Sequence, residues 1–162
     1  MSKTVFIKGL IVGILAGCFN VQAASNEQAA NKHYDAWLKN KFSKQHDALI
    51  PVVAVADMFY ACNKARQVDP AIYEIKELII KMDRTVLAEK LALCLNGEPV
   101  QSEVALNFGL TGCFSEQLQG LPTEERKQKM ILVQRAIASL TYQERQKSFT
   151  QCVTDQAIGY LK

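Results

Sequence analysis

The chain has 162 residues, of which 49% are hydrophobic and 22% charged, and its formal net charge is +3. Two of the positive charges, Lys3 and Lys8, lie near the N-terminus and no later stretch collects a long run of one sign, which argues against nucleic-acid binding and against charge-driven binding to a membrane surface. The length fits one ordinary domain with a real core, and the absence of Pro-, Gly- or Ser-rich linkers argues against extended disorder.

Lys3 and Lys8 precede the apolar run Leu10 to Leu15, and Val21-Gln22-Ala23 then supplies small residues ahead of a cleavage point. This pattern predicts an export signal over residues 1–23, followed by a single helical domain over residues 24–162 that works in the periplasm. Leu15-Ala16-Gly17-Cys18 offers a competing cut, in which residues 1–17 are a lipoprotein signal and Cys18 is lipidated. The chain would then be a membrane-anchored lipoprotein facing the periplasm, with residues 20–31 as a tether. Leu10 to Phe19 is too short for a membrane span, which needs about 20 apolar residues.

Beyond the signal, hydrophobic residues recur with the period of a helix and no run alternates with the period of a strand, so the expected fold is an all-α bundle of about seven helices. Ser25 with Gln28 reads as a capping box for a first helix, on which Ala30, Tyr34, Trp37, Leu38 and Phe42 share one face that should bury. A second helix is expected from about Pro51, with Asp47 as its cap. Val53, Ala56, Met58, Phe59 and Cys62 make it apolar nearly all round, as suits the central helix. Asp69-Pro70 pairs a capping side chain with a proline at the first helical position, and Ile72, Ile75, Leu78, Ile79 and Met82 follow at helical spacing. Asp83 caps a fourth helix with Leu87, Leu91, Cys94 and Leu95 as its stripe, stopped by Asn96-Gly97.

Ser102 opens a helix carrying Leu106, Leu110, Cys113, Phe114 and Leu118. Pro122 with Glu124 and Glu125 opens the next, with Met130, Val133, Ile137 and Leu140 as its stripe. Thr141 and Glu144 form a capping box for the last, on which Phe149, Cys152, Val153 and Tyr160 align. Setting Cys62 over Cys113 and Cys94 over Cys152 superposes two three-helix units, residues 48–97 and 101–161, in a weak internal similarity.

An exported chain places its cysteines in an oxidising space, so Cys62, Cys94, Cys113 and Cys152 are expected to form two disulfides. Four cysteines allow three pairings, and spacing alone does not choose among them. The internal similarity favours Cys62 with Cys94 and Cys113 with Cys152.

Motifs for catalysis are scarce. His33 and His46 are the only histidines, and neither has the spacing of a zinc site, so no metal or cofactor is expected. Gly109-Leu110-Thr111-Gly112-Cys113 lies inside a helical pattern, where its glycines admit a neighbouring helix rather than a phosphate. His46-Asp47 reads as a loop histidine beside a capping aspartate. Asp57 interrupts the apolar second helix and is expected on its solvated side; a hydrolase built on Asp57 or His46 is the least favoured alternative. Tyr34, Trp37 and Phe42 are the candidate partner-binding residues, because clustered aromatics commonly anchor interfaces.

These features lead to the expectation of a non-enzymatic binding or accessory module acting through protein–protein interaction with an envelope protein or assembly. The alternative is a carrier of an apolar ligand or lipid in a groove between the two helical units.

Overall fold

The computed structural model describes residues 21–161, with side chains described from residue 31 onward. Residues 1–20, which make up most of the segment expected to be an export signal and include Cys18, therefore lie outside the described residues. The chain divides into two compact units, Met1–Ala36 and Trp37–Lys162. The described part of the first is helical throughout, and the second contains the core.

Seven helices and no strand occur among the described residues: α1 (Val21–Lys41), α2 (Ser43–Arg66), α3 (Ile75–Ile80), α4 (Arg84–Leu95), α5 (Glu103–Gln117), α6 (Thr123–Ser139) and α7 (Tyr142–Ile158). The all-α expectation holds. α2 is the central element, packing against α3, α4, α5 and α7, while α5 also packs against α6 and α7. By length and mean hydropathy α2 would pass for a membrane span. Instead it carries Val53, Phe59 and Cys62 into an interior shared with Leu78, Leu87, Leu91, Leu95 and Leu110. Each large side chain so removed from water contributes about 1.5 to 3 kcal/mol.

Caps of local origin form as the sequence dictates. Asp83 accepts from the amides of Thr85 (2.8 Å) and Val86 (3.2 Å), Ser102 accepts from Ala105 (3.2 Å), and Thr141 with Glu144 forms the reciprocal capping box. Asn96 and Gly97 end α4 with φ of 53° and 89°, the left-handed conformation that a helix stop requires.

Three helix starts differ from expectation. α1 already runs at Val21, so Ser25 lies within it rather than capping it. α2 begins at Ser43, which places Pro51 inside the helix and Asp47 in its second turn instead of at a cap. Proline deletes one backbone hydrogen bond, but the turn before it is anchored by His46, which is buried and donates from Nε2 to the Thr154 carbonyl of α7 at 2.9 Å. Asp69-Pro70 opens no helix either: Asp69 Oδ1 accepts from the Ala71 amide as a cap would, but Oδ2 is tied to Tyr73 and Lys90, and α3 waits until Ile75. Ile72, expected on the apolar stripe, is 99% exposed in the intervening loop.

Two disulfides link Cys62 to Cys94 and Cys113 to Cys152, with Cα separations of 6.2 and 6.3 Å. The first staples α2 to α4 and the second α5 to α7, each joining the first helix of a three-helix half to its third. This is the pairing that the internal similarity favours. The halves meet along α2 and α5, where a Cβ on Gly112 would lie 2.2 Å from the Asp57 carbonyl oxygen, so the two backbones approach as closely as only glycine allows. Gly109 likewise makes room for the Phe149 ring of α7. Both glycines of the expected pair therefore serve helix packing.

Candidate functional site

Asp57 is fully buried, in contrast to the solvated placement expected from its sequence context. A helix that is apolar on all sides gives no phase from which to assign a single acid to solvent, and the glycine contact with α5 draws this turn inward. Gln156 Nε2 of α7 donates to Asp57 Oδ1 at 3.2 Å, while Oδ2 has no hydrogen-bond partner among the protein atoms. Gln156 Oε1 lies 2.8 Å from Cys113 Sγ. A disulfide sulfur carries no hydrogen, so this is a close oxygen–sulfur contact and not a donated bond. Burial pushes the Asp57 carboxyl well above the usual carboxylate range, the Gln156 amide opposes the shift, and the negative charge of Glu116 reinforces it. The neighbouring Tyr160 hydroxyl donates to Glu116 Oε1 at 2.9 Å, and burial chiefly, then Glu116, raises its pKa too.

This acid sets a pH dependence whose sign follows directly. The folded protein holds the Asp57 proton above pH 4 while the unfolded chain has already released it, so stability falls as pH rises from about 4 toward the folded-state pKa, by about 1.4 kcal/mol per pH unit. Asp69 acts in the opposite sense below that window, because its pKa is lowered to about 2 and its stabilisation is lost as pH falls from about 4 to 2. Urea titrations at half-unit pH intervals should therefore place maximum stability near pH 4. Asp57→Asn should be more stable than the wild type at pH 7 and remove the decline above pH 4. An unchanged slope in that variant would show that another group titrates there.

The structure does not bring the two hydrolase candidates together. His46 and Asp57 are eleven positions apart on one helix, roughly 16 Å along its axis. The His46 ring is 2% exposed and held in the core, so the expectation of a loop histidine is also overturned; Asp47 Oδ1 lies 3.7 Å from its Nδ1. No group of three or more metal-ligating side chains occurs among the described residues.

The surface offers a more promising feature where the two halves meet. A groove of about 560 Å³ is lined by Tyr60 and Lys64 of α2, by Tyr73 and Glu74 ahead of α3, by Glu116 of α5, and by Arg126, Lys127, Met130 and Ile131 of α6. A second hollow of about 430 Å³ shares Tyr60, Lys64 and Tyr73 with it and continues to Ile72. Tyr73 is held in place by Asp69, which accepts from the Tyr73 hydroxyl at 2.7 Å and from Lys90 Nζ of α4 while also bonding the Ala71 amide at 3.0 Å. The Lys90 hydrogen bond is the main reason that the Asp69 carboxyl is held so low. The Tyr73 ring also meets Phe59 edge-on at 5.4 Å. The groove wall is thus fixed by charge-assisted bonds and core packing, and it is largely pre-formed.

Sequence patterning missed this groove. Of its lining residues the helical stripes take in Ile75 and Met130 but neither Tyr60 nor Tyr73, and only the fold brings Tyr60, Tyr73 and Met130 to one place. The signal that was available is the excess of apolar residues on α6, where Ile131 and Leu132 remain 54% and 60% exposed beside Met130.

The candidate face on α1 does not bury as expected. Tyr34 and Trp37 are 58% and 46% exposed, while Leu38 and Phe42 are half-buried. Lys41 Nζ stands 4.7 Å from the Trp37 ring centroid and 5.6 Å from that of Phe42, so the C-terminal end of this face is shared with a cation. The chain matches no protein-family model, no curated protein and no solved structure.

Proposed function

We propose that this is an exported, disulfide-stapled helical module that binds a protein of the cell envelope through the groove between its two halves. The groove carries the reading: an apolar, aromatic-lined concavity with a few charged groups is the usual form of a recognition site. Two disulfides in a small domain support an oxidising compartment, and together with the charged, apolar and small-residue sequence of positions 1–23 they support the periplasm. The closure of the α2–α5 seam at Gly112 favours surface recognition over enclosure of a lipid between the halves. Trp37 and Phe42 provide a second apolar surface for the same assembly.

A photo-reactive residue at Ile131 in the native host is expected to give one discrete protein adduct that is weakened by Tyr60→Ala. The same probe at Leu93, which is 70% exposed on α4, should give none. Intact mass of the native protein, with and without reductant, should show cleavage after Ala23 and two disulfides. Equal labelling from both positions, or a native chain that retains Met1, would overturn the reading.

A further inference from the structure

We infer that the occupant of the groove is an acidic amphipathic helix of the partner protein. The inference rests on the binding role proposed above and adds the chemistry of the bound segment.

Three observations carry it. No strand exists among the described residues, so the groove offers no sheet edge on which an extended peptide could pair its backbone, and recognition must run through side chains. The apolar contacts come from Tyr60, Tyr73, Met130 and Ile131, on elements that both halves contribute, and Ile131 continues outward into exposed Leu132. A helix presents a matching stripe at i, i+3, i+4 and i+7, with its backbone already satisfied internally.

The third observation is charge. Lys64 on α2 and Arg126 on α6 line the same groove, and neither has a carboxylate within ion-pair distance among the described residues. Lys127 on the same rim pairs only with exposed Glu124, one turn away. The Lys64 ammonium stands 5.6 Å from the Tyr60 ring centroid, which places a cation at the edge of the apolar surface. On the acid side, Glu74 and Glu116 also line the groove, so its three cations face two carboxylates, one of which accepts from Tyr160. Cations from two helices that both pack against α5 thus flank an apolar surface. That arrangement complements a helix whose apolar stripe is bordered by carboxylates.

The test uses the mature protein with both disulfides and two synthetic peptides of about 18 residues, roughly five helical turns. They share one leucine stripe and differ only in carrying Glu or Lys at the flanking positions. Fluorescence anisotropy at low salt is expected to show the Glu peptide binding about five- to tenfold tighter than the Lys peptide, a gap that narrows as salt is raised. The double variant Lys64→Glu/Arg126→Glu should reverse the preference, and Ile131→Asp should weaken both peptides; all three positions are at least partly exposed, so the variants should fold. Equal affinities, or binding that Ile131→Asp leaves untouched, would overturn the inference. So would displacement of the Glu peptide by phosphatidylglycerol vesicles, since the site would then belong to an anionic lipid. A specific adduct at Ile131 without any preference for the Glu peptide would retain the binding role and remove only the acidic helix.

Discussion

Removing both disulfides should leave the protein largely unfolded at room temperature. The loops that they close span 32 and 39 residues. In the chain-entropy description each closure restricts the unfolded chain by roughly 3.5 to 4 kcal/mol. The loops do not overlap in sequence, so their contributions should add, giving about 7 kcal/mol against a typical domain stability of about 5 to 15 kcal/mol. Paired Cys→Ala replacements test this without a change of solvent. Urea denaturation should show each single-bridge variant losing about half of the total effect and the four-fold variant without a cooperative transition. All four sulfurs are nearly inaccessible, with Cys152 the most exposed at 5%, so reductant should act slowly on the native protein and much faster in denaturant. A midpoint unmoved by either route would mean that the helices hold together through apolar packing alone.

The second large effect is expected at Gly112. Glycine to alanine inside an exposed helix normally stabilises by about 1 kcal/mol, because alanine restricts the unfolded chain and favours the helical backbone. At Gly112 the added methyl would sit 2.2 Å from the Asp57 carbonyl oxygen and 2.6 Å from its carbonyl carbon. These are backbone atoms of the central helix, which cannot swing aside as a side-chain tip can. The α2–α5 seam must then open, at a cost of about 3 kcal/mol or more once overpacking and the loss of neighbouring contacts combine. Gly112→Ala should therefore reverse the usual sign by a wide margin. Gly120→Ala, where a Cβ meets nothing within 4 Å, should stay within about 0.5 kcal/mol of the wild type. Thermal unfolding monitored by circular dichroism compares the two directly, and near-equal midpoints would show that the helices can separate at the seam without strain.

What the chain disclosed in advance depended on how far each interaction reaches. Asp83, Ser102 and Thr141 cap helices through amides two or three positions away, and Asn96-Gly97 ends one through its own backbone, so these elements were legible. Asp69-Pro70 carries an equally good local signal, but its carboxylate is claimed by Lys90, 21 positions on, and by Tyr73. Pro51 announces a helix start that His46 cancels by reaching Thr154, 108 positions away. Burial of Asp57 escaped for another reason: with apolar residues on every side of α2, periodicity could not say which direction faces water. The groove is the least legible feature. Tyr60, Tyr73 and Met130 become neighbours only once the connection between halves and the loop before α3 have taken their course.

Each sulfur bridge closes inside its own half, so among the described residues the polypeptide from Asn96 to Ser102 is the sole covalent thread joining α2–α4 to α5–α7. Two copies of the chain could therefore trade their C-terminal portions, restoring the same seam in trans without breaking or reshuffling a sulfur bond. The groove would then be assembled from two polypeptides, with Tyr60 supplied by one and Met130 by the other.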